Sequence, residues 1–563
     1  MKTRFIVIIV VLLFNISGAF AVDADIRLNS LGFLPGMQKK ATIVAECSKY
    51  MLKQTSDDAI VYSSEVTGPL HQDDVNQDVW IADFSKVKEK GKFYLDVPGV
   101  GRSYDFEIGD NVYDFAFYTT MRAFYLWRCG TAVEGVHNGQ HFIQKACHME
   151  DAYQDYLGIE DLNDTKRDGT GGWHDAGDYG KYTVNAGVTL GSLFLAWDHF
   201  QDKIKNVSLD IPNTALDYPD FLKELKWETD WLLKMRYPDG SGKVSHKLTR
   251  LNFSGFIMPD KDTEKRYFTD WSSAATADFV AMMAMAARFF KPYDSEYAQT
   301  CLEAAKKSYE LLNSEPNNKS PNQRAFRTGA YGTSDPDDRL WAAAEMWETT
   351  GETQYLKDFE ERAVVPFTSR KRGQAQSSEG KIDEDWDWGN VRNLGMFTYV
   401  LSKRKGKNPE LLENIRKGII DVADDILAKA KKDVYCRPFS NYYWGCNGTV
   451  ARQVLNLQVA NMISPKKEYI DTSLDAIAHL FGRNYYGRSY VTGLGHEPPM
   501  KPHDRRSGAD NIEAPWPGYI VGGGHSATGW LDEEESYQTN EIAINWQAAI
   551  VYALAGFVGD GAQ

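Results

Sequence analysis

Three short segments carry the residues best suited to acid–base chemistry. The first, Gly171-Gly172-Trp173-His174-Asp175-Ala176-Gly177-Asp178-Tyr179-Gly180-Lys181-Tyr182, sets two carboxylates three residues apart on a glycine-rich loop just ahead of a helical stretch. Glycines permit the tight turns and close backbone approach that let both carboxylates face one water. Asp and Gly of this kind also build plain turns and helix caps, and the loop alone does not choose between the two readings. The second segment runs from Asp532 through Tyr537 and Asn540 to Glu541, at the mouth of a final apolar helix expected over 541–557. Glu541 is there either as a carboxylic acid held in a cleft or as an acidic residue favoured by the helix dipole. The run Asp532-Glu533-Glu534-Glu535 reads as a solvated charged face. The third segment, Lys501-Pro502-His503-Asp504-Arg505-Arg506-Ser507, presents His503 and Arg505 two apart on a loop, as donors for sugar hydroxyls or as an ordinary surface pair.

Other residues have metal-binding character. Cys129, Cys147, His148 and His174 would make a closed tetrahedral zinc site of two thiolates and two imidazoles, although their spacing matches no short finger motif. A Cys129–Cys147 disulfide is the alternative in an exported chain. Tyr331–Asp338 is an oxygen-rich turn, with Thr333, Asp335 and Asp338 as calcium ligands or as a cap on the next helix. Cys436 and Cys446 suit a disulfide or two buried thiols, and Cys47 and Cys301 read as core. Among the loop aromatics, Trp386, Trp388, Tyr443 and Trp444 are candidates for stacking on sugar rings, whereas Trp341 lies within a helix and reads as core.

The elements that must position these loops fall into two groups. Residues 22–108 alternate in short β-branched and aromatic runs, at 41–46, 60–66, 79–84, 92–97 and 104–108, separated by Gly, Pro and Asp clusters; this is the pattern of a small sandwich. From 112 to 563 helical periodicity takes over. Eleven helices are predicted, over 112–127, 183–199, 218–235, 274–290, 296–313, 338–349, 391–403, 409–431, 450–463, 472–483 and 541–557, and the long loops between them carry the Gly, Trp, Asp and His clusters. About twelve helices with functional loops at one end suggest an α/α toroid.

In this order and spacing the three segments resemble those of family 9 glycoside hydrolases, the cellulase family with an (α/α)6 barrel. The segments at 172–182, 502–505 and 537–545 match its base-bearing, histidine–arginine and acid-bearing stretches. The stretches at 337–345, 481–495 and 515–523 fit as well, and Leu28-Asn29-Ser30-Leu31-Gly32-Phe33-Leu34-Pro35 resembles the start of the Ig-like domain that precedes some of these barrels. The resemblance implies an inverting endo-β-1,4-glucanase with Asp178 as general base, Asp175 helping to hold the attacking water and Glu541 as general acid. His503, Arg505, Tyr537, Trp388 and Trp444 would bind substrate. It further implies zinc on Cys129, Cys147, His148 and His174, and calcium near Thr333, Asp335 and Asp338. One departure is Asp504, which stands where many relatives carry a second histidine.

Composition agrees with a neutral polysaccharide as substrate. With 63 Lys and Arg against 78 Asp and Glu, the net charge of −15 disfavours nucleic acid and anionic membranes. No segment suggests an organic cofactor. Met1-Lys2-Thr3-Arg4, an apolar run from Phe5 to Phe14 and Ala19-Phe20-Ala21 read as a signal peptide over residues 1–21, so the expectation is a monomer exported to the periplasm or the medium. The rival readings are xyloglucan, mixed-linkage glucan or chain-end specificity on the same scaffold, a non-catalytic sugar binder, and a lyase or epimerase on an α/α toroid. A lyase of uronic acids would want a basic cleft.

Overall fold

The computed structural model describes residues 25–212, 217–365 and 380–559, together with a strand pair at 367–368 and 375–376. The signal peptide expected at 1–21 lies outside them. The N-terminal part is a sandwich of two antiparallel sheets. One has the order β1 (Ile26–Arg27), β2 (Lys40–Ile43), β6 (Gln77–Asp83), β5 (Thr67–Gln72). The other runs β4 (Ile60–Glu65), β3 (Lys49–Gln54), β7 (Gly91–Val97), β8 (Gly101–Arg102), with β9 (Phe106–Ile108) also paired to β7. Inward-facing Leu52, Phe93, Leu95, Ala41 and Phe84 close its core, and Phe33, Phe84 and Phe106 meet edge-to-face or tilted there. Cys47 is half-buried at the margin of this core, whereas Cys301 is fully buried in the barrel.

Twelve helices of two or more turns follow: α1 (Asp114–Leu126), α2 (Thr183–Ile204), α3 (Asp220–Lys234), α4 (Ser273–Phe290), α5 (Ser295–Ser314), α6 (Pro336–Thr350), α7 (Thr353–Ala363), α8 (Arg392–Leu401), α9 (Pro409–Lys432), α10 (Cys446–Ile463), α11 (Lys467–Leu480) and α12 (Ile544–Ala555). The even-numbered helices form an inner ring. There α12 packs on α2, α2 on α4, α4 on α6, α6 on α8 and α10 on α12. A helix enclosed on all sides must be apolar or small all round. Accordingly α4 reads Ala-Ala-Thr-Ala-Asp-Phe-Val-Ala-Met-Met-Ala-Met-Ala-Ala and is buried over nearly its whole length, as are α10 and α12. The odd-numbered helices form the outer ring, most of them burying a narrower face than the inner helices. Along α9 the buried residues are Leu411, Ile415, Ile419, Ala423, Ile426 and Ala430, at steps of three and four.

The sandwich sits against the barrel through polar contacts. Arg27 donates to the Tyr435 hydroxyl at 2.6 Å, Thr42 to the Val434 carbonyl at 2.8 Å, and Tyr104 stacks on His496 with centroids 4.3 Å apart. Between α1 and α2 the chain forms a hairpin, β10 (Val133–His137) with β11 (Gln140–Gln144). A three-stranded sheet, β12 (Lys181–Tyr182), β13 (Lys247–Thr249) and β14 (Tyr267–Phe268), then lines the loop end of the barrel. The outer stripe of α9 supplies packing and no chemistry. Ile419→Ala is therefore expected to cost about 2–5 kcal/mol in chemical unfolding, and the exposed Lys417→Ala less than about 0.5 kcal/mol, with specific activity unchanged in both.

Candidate active site

The glycine-rich loop at 171–182 is fixed before it reaches its carboxylates. Gly172 has a φ of +74° and no room for a side chain, since a Cβ there would stand 2.7 Å from the Trp231 ring. The neighbouring Trp173 is held from α3: its backbone N–H donates to Glu228 at 2.6 Å and its indole to Glu224 at 2.8 Å. Glu224 in turn pairs with Arg128 at 2.7 Å. Lys181 donates to the carbonyls of Gly169 and Gly171 and pairs with Asp151 at 2.9 Å.

Backbone hydrogen bonds then knit the three chemical segments together. Arg505 N–H donates to the Gly177 carbonyl, His503 N–H to Asn540, Gly522 N–H to Glu541, and Ile544 N–H to Asp175. A Cβ on Gly177 would lie 2.1 Å from the His503 carbonyl, so that glycine is required by the approach. Glu541 thus sits in an extended stretch, φ −71° and ψ 155°, three residues before α12 begins. The helix-cap reading of Glu541, and the helix start at 541, are corrected by this geometry. The run 532–535 is corrected in part: Asp532 is not solvated, but accepts the Met500 and Lys501 N–H groups and pairs with Arg488 at 2.8 Å.

Asp178 Oδ2 accepts the Gly180 N–H at 2.9 Å and the Tyr182 hydroxyl at 3.2 Å. Asp175 accepts Asn185 Nδ2 at 2.7 Å and the Tyr331 hydroxyl at 2.6 Å. Burial, and then the charge of Asp178, push the Asp175 carboxyl up to about 8, against the donation from Tyr331 and Asn185. Glu541 is partly open to solvent, yet loss of hydration and then the charges of Asp178 and Asp175 drive its carboxyl well above the usual range; Arg505 and the Trp444 indole oppose this. The His503 ring donates from Nδ1 to the Glu534 carbonyl at 2.7 Å, and burial lowers its pKa, which keeps it neutral. Arg505 donates to Ser254 at 3.0 Å and lies near Phe253. Trp444 and Tyr537 are exposed and meet edge-to-face at 5.4 Å, and Tyr537 lies 6.0 Å from the His503 ring. Trp388 is half-buried against Tyr331.

Not every named residue joins this group. Trp386 is core, its indole bonded to Asn456, and Tyr443 donates to Asp385. Asp504 is buried on Arg506 and Ser507, turned to structural work. Asn185, Tyr182 and Tyr331 were not assigned a role from sequence. Asn185 offers the one readable signal, an amide inside an otherwise apolar helical run.

Cys129 Sγ, Cys147 Sγ, His148 Nδ1 and His174 Nε2 converge, all buried, within 4.8 Å of one another. Their separations of 3.6 Å (Cys129–His148), 3.9 Å (Cys147–His174) and 3.3 Å (His148–His174) approach the edges of about 3.3–3.8 Å that metal–ligand bonds of 2.0–2.3 Å give a tetrahedron. His148 Nε2 faces Asp262 at 3.5 Å, the usual outer partner of a metal-bound imidazole. All six cysteines are unpaired, including Cys436 and Cys446, so the disulfide alternatives fall. In the acidic turn Asp335 pairs with Arg339 at 2.7 Å. Asp338 is buried facing Asp278, with neither carboxylate oxygen hydrogen-bonded, and Thr333 lies alongside Gly389.

Comparison with known proteins adds sequence kinship to this geometry. The profile of glycosyl hydrolase family 9 matches residues 113–554, and that of the cellulase N-terminal Ig-like domain matches residues 21–102. Endoglucanase D of Acetivibrio thermocellus is 56% identical over 548 residues, covering 97% of this chain and 85% of the relative. The xyloglucan-specific endo-β-1,4-glucanase BoGH9A of Bacteroides ovatus is 30% identical, over 93% of this chain and 92% of that one. A crystal structure of a zinc-binding triple mutant of the family 9 endoglucanase J30 superimposes with a TM-score of 0.85 at 29% identity, covering 94% of this chain and all of the other. A barrel matched over nearly its full length, joined to an Ig-like sandwich, makes this protein a member of glycosyl hydrolase family 9.

Proposed function

We propose that the chain is an inverting endo-β-1,4-glucanase in which Asp178 removes a proton from the attacking water, Asp175 helps to hold that water, and Glu541 protonates the departing glycosidic oxygen. The observation that carries this reading is the contrast between carboxyls in one cleft. Glu541 is driven toward its protonated form by burial and by the aspartates, as a general acid must be. Asp178 has two donors aimed at one oxygen, as suits a base. Neutral His503 and charged Arg505 bind glucosyl hydroxyls beside the scissile bond, and Trp444, Tyr537 and Trp388 offer ring faces to sugars. The name of the relative at 56% identity supports β-1,4-glucan as substrate. That of the relative at 30% keeps xyloglucan as the specific alternative. We further read residues 22–108 and 112–563 as the two domains, and the N-terminal leader as an export signal. Among the described residues no helix is long and apolar enough to cross a membrane.

The cysteine–histidine cage suits zinc, whose preference is four nitrogen and sulfur ligands in a closed tetrahedron. When bound, the ion supplies a rigid cross-link rather than a Lewis acid, because all four positions are filled by protein. His174 adjoins Asp175, and the cage anchors the loop that carries both aspartates. The acidic turn suits calcium, with Thr333, Asp335 and Asp338 as ligands; the support is that Asp338 buries carboxylate oxygens that no hydrogen bond satisfies.

Reducing-sugar release and viscosity loss on carboxymethyl-cellulose, barley β-glucan, xyloglucan and chitosan test the reaction. Rapid loss of viscosity on a glucan is expected, and no release from any polymer would sink the reading. Glu541→Gln should lower kcat on β-glucan by about 10²–10⁴-fold, yet spare dinitrophenyl cellobioside, whose leaving group needs no proton. Asp178→Ala should lose both substrates. Activity requires Glu541 protonated, so it is held below the raised pKa and lost as pH climbs through it. The alkaline limb of kcat/KM should therefore lie well above the ordinary carboxylate range and disappear from the residual Glu541→Gln activity on the activated substrate. For the metal, elemental analysis should find one zinc per chain. Cys147→Ser should abolish it, lower the Tm, and reduce kcat more than it changes KM.

A further inference from the structure

Lys247 is a buried ammonium that the reaction described above does not use. It lies on β13 directly across from Tyr182 on β12, and none of its surface is exposed. Its Nζ donates to the Gly329 carbonyl at 2.7 Å and to Thr328 Oγ1 at 3.4 Å, and it stands 4.9 Å from the Phe326 ring and 5.8 Å from that of Tyr182. Among the described residues it makes no ion pair. Burying an unpaired ammonium is costly, and an apolar side chain of similar length would fill the space at less cost. A charge kept under those terms points to something other than stability.

The groups it grips lead to both aspartates. Gly329, whose carbonyl takes the lysine, gives its own N–H to the Tyr182 hydroxyl at 3.1 Å, and that hydroxyl donates to Asp178. The residue just before the strand, His246, holds the next carbonyl, Ala330, at 2.8 Å. Tyr331 follows, with φ +39°, and reaches Asp175. Residues 328–331 are thus a strap fastened by two neighbouring side chains, Lys247 on β13 and His246 just ahead of it, and from it one tyrosine is steadied on Asp178 and another is delivered to Asp175. The charged or titratable groups facing this region are Asp175 and Asp178 from the glycine-rich loop, Tyr182 from β12, His246 just ahead of β13 with Asp270 and Lys319 near it, and Tyr331 from the strap. His503 and Arg505 come from the histidine–arginine segment, and Glu541 from the C-terminal one. Burial brings the Lys247 pKa down to about 7, and the negative charge of Asp178 is the one charge that holds it up.

We propose that Lys247 is a positioning residue for the base. It fastens the strap that carries the Tyr182 and Tyr331 contacts, and it places a buried positive charge behind Tyr182, reached through Gly329, on the side of Asp178. This rests on Asp178 being the base, as proposed above.

The test measures kcat, KM and the pH profile of kcat/KM on barley β-glucan for wild type, Lys247→Met, Lys247→Arg and Asp178→Ala, with Tm beside each. For Lys247→Met the expected result is a kcat about 10–100-fold lower, a KM within about twofold, a Tm equal to or above wild type, and an acidic limb moved upward by about one pH unit. That shift corresponds to a tenfold change in proton affinity. Lys247→Arg keeps the charge and should return the acidic limb to its wild-type place even where kcat recovers only in part. A Lys247→Met enzyme with wild-type kcat and acidic limb would overturn the proposal. So would one with lowered Tm and a profile scaled down without shift, since that is the signature of packing alone. Failure of the underlying reading looks different, because Asp178→Ala would then retain activity.

Discussion

The site depends on a backbone weave at the mouth of the barrel. Asp175–Gly177 lies between two segments drawn from the far end of the chain, with Gly177 accepting from Arg505 and Asp175 accepting from Ile544, while His503 pairs alongside Asn540 and Glu541. These backbone hydrogen bonds together set the relative positions of the glycine-rich loop, the His503–Arg505 segment and Glu541 without relying on flexible side chains. The 2.1 Å gap at Gly177 shows how little latitude the weave has. The twelve helices and the sandwich are, from this standpoint, the frame that brings residues more than 300 positions apart to one backbone contact.

The weave also explains the electrostatics. It gathers Asp175, Asp178 and Glu541 into a desolvated pocket whose nearby cations are few. Three carboxylates cannot all stay ionised under those conditions, and the excess is relieved by protonation. Asp175 and Glu541 are the two that burial drives upward. Around them the counter-charges are placed asymmetrically. Arg505 acts on Glu541, whereas Lys247 stands behind Tyr182 on the side of Asp178. Two carboxyls of the cluster are thus raised by burial and by neighbouring charge, and the fold places the few counter-charges on opposite sides of it.

Much of this frame was legible in the chain. Helical periodicity found eleven of the twelve helices, because the inner ring is built of long buried runs, even where α6 and α10 carry polar residues, and most outer helices keep a regular stripe. It missed α7, whose sequence Thr-Gln-Tyr-Leu-Lys-Asp-Phe-Glu-Glu-Arg-Ala buries only Tyr355, Leu356, Phe359 and Ala363. Strand β5 was missed for a related reason, being exposed along nearly its whole length with no buried face to read, whereas β3 was missed although Tyr50 and Leu52 alternate into the core. At the site, glycine spacing and carboxylate pairs could be seen, but conformations fixed by distant partners could not. Glu541 looks like a helix start because α12 is three residues away, and pairing with the His503 segment on one side and Gly522 on the other extends it. Asp532 looks solvated in a run of acids until Arg488, Met500 and Lys501 fold onto it. Tyr331 and Lys247 had no local signature at all, since their meaning lies in which carbonyls and carboxylates the fold sets beside them.

The cysteine–histidine cage sits at the other margin of the same loop, and its geometry says which kind of rigidity it provides. All four ligand residues are buried, and no position is left for a water or a sugar hydroxyl, so the cage cannot take part in bond cleavage directly. What it can do is remove slack. Cys129 follows α1, Cys147 and His148 follow the β10–β11 hairpin, and His174 immediately precedes Asp175, so a single ion bound there would join three stretches of chain at the root of the glycine-rich loop. General-base catalysis tolerates little misplacement of the carboxylate relative to its water. On one side Asp175 is therefore tied through His174 to the cage and on the other through Gly177 to the histidine–arginine segment, and the strap at 328–331 bears on it from a third direction through Tyr331. A loop rich in glycine, free to fold so closely, needs those three restraints to hold one conformation.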